Sequence, residues 1–162
     1  MTGVETFDPA TITPEDANRV WERVRTQELC FDDFSRGHAE LFAERLASPT
    51  TVGFLYKDAA LVTVEHIVPK LNGWMHFFLW DTALPEGEMA VAGRRIARDV
   101  IDMFELHRLT ALPPSFNKLA CRLATRVGFR YEGLMKGAFL YKEHYHDLEI
   151  RGLMAEDLRR LM

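Results

Sequence analysis

The chain has 162 residues and a mass of 18.7 kDa, with 48 % apolar and 27 % charged residues. That is the balance of one globular domain, long enough to bury a core without disulfides. Basic residues number 20 and acidic residues 24, a formal charge of −4 with a pI near 5.9, which makes a poor general binder of nucleic acid because phosphate affinity needs clustered Lys and Arg. The longest apolar runs, such as Phe77-Phe78-Leu79-Trp80, are far too short to cross a bilayer, and Met1 to Pro9 lacks the apolar segment of a leader. Cys30 and Cys121 are far apart and form no motif, so a reducing, cytoplasmic compartment is expected. The charge is uneven. Residues 1–93 carry −8, residues 94–130 carry +5 and residues 131–162 carry −1.

In chain order, Thr13-Pro14-Glu15-Asp16 reads as a helix start, with Thr13 as N-cap and an acid three residues later. Ala17, Val20, Trp21 and Val24 follow at helical spacing. Ser35 is positioned to cap a second short helix with His38, Leu41, Phe42 and Leu46 on its apolar face, ended by Ser48-Pro49. Three strands are predicted next, Thr51 to Lys57, Ala60 to Val68 and Gly73 to Asp81, with Lys57-Asp58 and Asn72-Gly73 in the turns. They should form an antiparallel meander. From Met89 to Phe104 the spacing of Ile96, Val100, Met103 and Phe104 predicts a helix. Arg108 to Leu112 is a short strand stopped by Pro113-Pro114. Phe116, Leu119, Ala120, Leu123, Ala124 and Val127 give a second amphipathic helix closed by Gly128. Phe129 to Leu140 and Tyr145 to Met154 read as a final strand pair. The order α-α-β-β-β-α-β-α-β-β is α+β, a mostly antiparallel mixed sheet with helices on its faces. No first strand is legible.

The last third carries a set of short motifs in order: Leu106-His107-Arg108-Leu109; Asn117 to Phe129, reading N-K-L-A-C-R-L-A-T-R-V-G-F; Glu132-Gly133; Ala138-Phe139-Leu140; Tyr145-His146-Asp147; and Gly152-Leu153. Together they resemble the "LHRV", "N-x-A-S-x-R-x-x-E-K-x-G-F", "GF-x-x-EG" and "AFL…YHD" signatures of the GNAT superfamily of acyl-CoA-dependent N-acetyltransferases. The resemblance implies a single GNAT-like domain over residues 1–162. Its strands Gly73–Asp81 and Arg108–Leu112 would splay apart, and the pantetheine arm of acetyl-CoA would pair with the exposed edges. It also implies a pyrophosphate site at the start of the long helix. Aligned on Pro85-Glu86, that site takes in Val91, Ala92, Gly93, Arg94 and Arg95, while Leu112 and Asn117 would contact the arm.

The loop departs from the family pattern. Glu88 stands at the usual Arg and Val91 at the central Gly, and only Gly93 fits. Arg94, Arg95 and Arg98 either serve the cofactor's phosphates or form a solvated helix face. Arg122 and Arg126 with Lys118 make a second basic face, open to the same two readings. The positions of the family's general acid are Ala124 and Ala120. Cys121 is adjacent but points away, and Tyr131 and Tyr141 are the nearest hydroxyl candidates. Similar degenerate loops in GNAT-like chains of bacteriophages make a phage source an expectation.

A general base must take the proton from the attacking amine. His76 has the right ordinary pKa, and it shares a strand face with Trp74, Phe78 and Trp80, so a wall histidine is the other reading. Glu65, in an apolar strand, either faces a cleft or lies on a solvent edge. His144, His146 and Asp147 lack further converging ligands, so no metal is expected. The expected function is acyl-CoA-dependent N-acyltransfer, most simply N-acetyltransfer, to a small-molecule amine or a protein N-terminus, within a possible homodimer and with no membrane or nucleic-acid partner. The alternative is a GNAT-fold binding or virion-associated module without acyl-CoA chemistry. Transfer to a nucleic-acid base is permitted by the +5 segment and discouraged by the net charge.

Overall fold

The structure is a computed structural model that describes residues 4–162; Met1 to Gly3, part of the stretch read as lacking a leader, lie outside them. Seven strands form one sheet in the order β1-β2-β3-β4-β5-β7-β6. They are β1 (Val4–Phe7), β2 (Val52–Tyr56), β3 (Ala60–Val68), β4 (Asn72–Leu79), β5 (Arg108–Ala111), β6 (Arg130–Tyr141) and β7 (His144–Met154). The helices are α1 (Pro14–Val24), α2 (Ala39–Leu46), α3 (Glu86–Phe104), α4 (Lys118–Val127) and α5 (Ala155–Leu161). The α+β reading holds, and the meander β2-β3-β4 is antiparallel as expected. Among the described strands only β4 and β5 pair in parallel, which requires the long crossover that α3 supplies.

Local chemistry explains the boundaries. Thr13 and Asp16 exchange reciprocal capping bonds at the start of α1. Lys57-Asp58 and Lys142-Glu143 each place two consecutive residues at positive φ, the two-residue turn whose twist matches a hairpin. Gly128 ends α4 at φ 122°. Ser35 is not the cap of α2. Its hydroxyl and amide bond the Asp32 carboxylate in a preceding turn, and α2 starts after His38. On α4 the buried residues are Cys121, Leu123, Ala124 and Val127, while Leu119 is exposed, so the apolar stripe runs to one side of the predicted line. Three elements were not expected: β1, α5 and a single 3-10 turn at Glu28–Cys30. β1 pairs antiparallel with β2 at the sheet edge, and α5 packs Leu158 into the core.

Strand alternation divides the core in two. Phe54, Val62, Val64 and Met75 face α3, with Met89, Ile96 and Val100, and this side also holds Leu123 and Val127 of α4. Leu55, Leu61 and Phe78 face the other way, against Val20, Trp21, Val24, Phe42 and Leu46 of α1 and α2. The second face also carries Thr63 and Glu65 of β3, with His76 of β4 opposite Thr63.

Candidate active site

The site arises where the sheet stops being continuous. β4 pairs with β5 only through Asn72–Arg108, Gly73–Leu109 and Trp74–Thr110. Beyond those pairs β4 runs on to Leu79, while Pro113-Pro114 ends β5 and an isolated bridge ties Pro114 to Leu148 of β7. The two strands part, and a cleft of about 240 Å³ opens between them. One wall is β4, from Trp74 to Phe78. The other is Ala111 to Pro114 with Asn117, Ala120 and Ala124 of α4. The segment between α1 and α2 and Arg45 of α2 complete the lining. Neither Trp80 nor Met89 plugs the gap. The Trp80 indole N–H donates to the Asp58 carbonyl at 2.8 Å, and Met89 is buried under the sheet.

The free edge of β4 is polar backbone facing an apolar space. The Phe77 carbonyl points into the cleft, where the Cys30 thiol approaches it at 3.8 Å. The Phe77 N–H lies on the same side of the strand, beyond the last β5 pair. Burial pushes the Cys30 thiol up to about 12, so it stays protonated and is no nucleophile.

His76 lines the cleft, and Glu65 sits directly behind it, 4 % exposed, with Oε2 3.9 Å from His76 Nε2. Glu65 is neither at a solvent edge nor on the cleft surface. Arg45 Nε donates to both Glu65 oxygens at 2.7 Å, and the Thr63 hydroxyl donates to Oε1 at 2.7 Å. Burial alone would raise the Glu65 pKa. The His76 and Arg45 charges and the bonds from Arg45 and Thr63 outweigh it, and the carboxyl titrates below its ordinary value. Burial lowers His76 to about 4 against the pull of Glu65, so the imidazole is neutral at pH 7. With His76 neutral, Arg45 is the charge that keeps Glu65 ionised.

Asn117 is the N-cap of α4, its Oδ1 accepting from the Ala120 N–H at 3.1 Å, and Leu112 and Asn117 both face the cleft. Val91 to Arg95 lie in the second and third turns of α3, where helix bonding engages their backbone N–H groups. Ala92 and Gly93 are buried, whereas Val91 and Arg95 are exposed. A Cβ on Gly93 would stand 2.9 Å from Val127 and 3.0 Å from Phe77, so this glycine serves close packing between α3, α4 and β4. Arg94 donates to the Arg126 carbonyl at 3.0 Å, and Arg98 pairs with Asp102.

Both acids of the first α3 turn are already partnered. Glu88 turns toward the β2-β3 hairpin and accepts from Lys57 at 2.6 Å and Tyr56 at 3.0 Å. Glu86, the first helical residue, is held by Arg122 at 3.0 Å and Arg126 at 3.4 Å. Among the described residues no tyrosine lines the cleft. Tyr131 is exposed, and Tyr141 bonds Glu28. Cys121 faces the Pro114 carbonyl behind α4, His146 packs on Phe116 and Asp147 accepts from the Gly137 N–H. Arg45 and Asp32, the charged residues of the cleft, were not foreseen. Arg45 lies 20 residues from Glu65, and no spacing rule joins them.

Among solved structures the chain resembles RimJ from Mycobacterium smegmatis in complex with CoA-disulfide (19 % identity, 98 % of this chain and 87 % of that one, TM-score 0.73). It also resembles RimL, a ribosomal-protein alpha-N-acetyltransferase in complex with coenzyme A (14 %, 97 % and 97 %, 0.75), and spermidine N-acetyltransferase from Vibrio cholerae with CoA and spermine (12 %, 98 % and 99 %, 0.73). No protein-family model and no curated protein sequence matches it. The chain therefore has the fold of the GNAT acetyltransferases, over nearly its whole length.

Proposed function

We propose that residues 1–162 form one acyl-CoA-dependent N-acyltransferase domain that transfers an acetyl group directly to an amine. The observation that carries this reading is the parting of β4 and β5 beyond Trp74 and Thr110, which opens an apolar cleft between His76 and Asn117. Structures of the same fold hold coenzyme A, which supports acetyl-CoA as the donor. On this reading its pantetheine arm lies along the free edges of β4 and β5, past Leu112 and Asn117. Its phosphates lie toward the N-terminal end of α3, with Val91, Ala92, Gly93, Arg94 and Arg95 as the flanking helix.

The amine nitrogen attacks the thioester carbonyl, so a C–N bond forms and the C–S bond breaks. The Phe77 N–H faces the cleft as a donor to the developing oxyanion. His76, neutral at pH 7, accepts the proton shed by nitrogen after attack. Glu65 acts through its neighbours, holding Arg45 in place and lying behind the His76 ring. The leaving thiolate takes its proton from water, since Ala120 and Ala124 occupy the α4 wall. The free thiols Cys30 and Cys121 support a reducing, cytoplasmic setting.

One observation favours the second reading, a GNAT-fold binding module without acyl chemistry. Glu86 already engages Arg122 and Arg126 at the α3 terminus. Calorimetry with acetyl-CoA separates the two. Micromolar binding, weakened at least five-fold by Asn117→Ala, is the expected result. Absence of binding at millimolar acetyl-CoA overturns the enzyme reading.

A further inference from the structure

We infer that the acceptor is an amino acid with an apolar side chain, and that Arg45 recognises its carboxylate; this deepens the acyltransferase reading and rests on it. The charged side chains lining the cleft are Asp32 and Arg45. Asp32 commits Oδ1 to three donors, the Phe34 N–H and the Ser35 N–H and hydroxyl. Arg45 uses only Nε, for Glu65. Its two terminal nitrogens make no hydrogen bond among the described residues, although the side chain is only 30 % exposed. A guanidinium with its fork unused, on the wall of an apolar cleft, matches a carboxylate in two-point geometry.

The fork is held in place. Glu65, itself held by the Thr63 hydroxyl, fixes Nε from behind, and the guanidinium carbon stands 5.5 Å from the Phe78 ring centre. Its distance from the reacting end is also set. Arg45 Nε and His76 Nε2 approach the same Glu65 oxygen, at 2.7 and 3.9 Å, so guanidinium and imidazole are neighbours across one carboxylate. An acceptor with its amine beside His76 and its carboxylate on Arg45 is therefore compact, of the span of an α-amino acid. The remaining lining, with Leu29, Phe77, Phe78, Phe139 and Leu148, suits an apolar side chain. A polyamine would place a second cation against Arg45, and a polypeptide N-terminus has no carboxylate at that distance.

The test measures thiol release from acetyl-CoA with three probes: phenylalanine, phenylalanine amide and phenethylamine. Wild type is expected to favour phenylalanine at least ten-fold in kcat/KM, mainly through KM. Arg45→Met combined with Glu65→Gln, which leaves no unpaired buried charge, brings the phenylalanine-to-phenethylamine ratio near one, whatever the absolute rates. Arg45→Lys keeps part of it. Equal use of the three probes by wild type, or a ratio that survives in the folded double variant, overturns the assignment. Absence of thiol release with every probe counts against the acyltransferase reading instead. Calorimetric titration of phenylalanine and phenethylamine then decides the Arg45 site alone. Binding of phenylalanine that the double variant loses supports it, and no preference for phenylalanine overturns it.

Discussion

His76 makes the fold acid-sensitive in a defined window. An unfolded histidine titrates near 6.5, whereas burial brings His76 to about 4 in the folded chain. Between those values the unfolded state binds the extra proton, so stability rises with pH there and is lost as pH falls. At about 1.4 kcal/mol per pH unit the full loss is about 3 kcal/mol, of which about 2.5 kcal/mol is already gone at pH 4.5. The perturbation is His76→Gln, which keeps a polar side chain and removes the titration. Urea unfolding of both proteins at pH 7.0 and pH 4.5 reads the His76 titration together with its coupling to Glu65, the carboxyl behind its ring. Wild type should lose about 2.5 kcal/mol more than the variant over that interval. The same cause bears on catalysis. The imidazole is in its proton-accepting form throughout the neutral range, so the His76-dependent acid limb of kcat should lie near pH 4. Equal stability losses in the two proteins, or an imidazole resonance titrating near 6.5, would refute the burial argument.

Two further outcomes follow from contacts around α3. Gly93→Val drives a branched side chain into Val127 and Phe77, which already lie 2.9 and 3.0 Å from a built Cβ. Thermal unfolding should fall by about 8 °C, for a loss of about 3 kcal/mol, and an unchanged midpoint would mean the glycine serves something other than packing. Glu86→Gln releases Arg122 and Arg126 beside the α3 terminus. Inorganic pyrophosphate should then bind about five-fold more tightly at low salt, with the gain shrinking as salt rises; an unchanged affinity would show that these arginines do not face an anion site.

Most of the sheet and four of the helices were legible because each rests on local pattern, whereas the splay came only from the resemblance to the acetyltransferase family. Val62, Val64 and their alternating neighbours mark strands, Pro113-Pro114 stops β5, and Lys57-Asp58 makes a turn. β1 escaped because of its four residues only Phe7 is buried, which leaves no periodicity to read. α5 escaped because its seven residues follow β7 without a break, and tertiary packing of Leu158 sustains it. The site was half legible. His76 falls within a strand that the pattern locates, while Leu112 and Asn117, at a strand end and a helix start, were picked out through the resemblance. The pairing of Glu65 with Arg45, and of Glu86 and Glu88 with Arg122, Arg126 and Lys57, joins segments that only the folded chain brings together. A net count of charge could not reveal that the basic stretch brings in part of its own counter-charge from the first turn of α3.

The parting of β4 and β5 also has a mechanical meaning. Three rungs, from Asn72–Arg108 to Trp74–Thr110, are all that stitch β1-β2-β3-β4 to β5-β7-β6 within the sheet. The two halves of the sheet meet at a short seam, with α3 spanning them on one side and, on the other, Asp33 bonding the Leu140 carbonyl and the Lys142 and Glu143 N–H groups of the β6-β7 hairpin. A small change of angle at that seam would widen or narrow the gap while leaving the pairing within the two halves intact. Anything lodged between them acts as a splint, so deuterium uptake should slow on both strand margins together when the gap is filled.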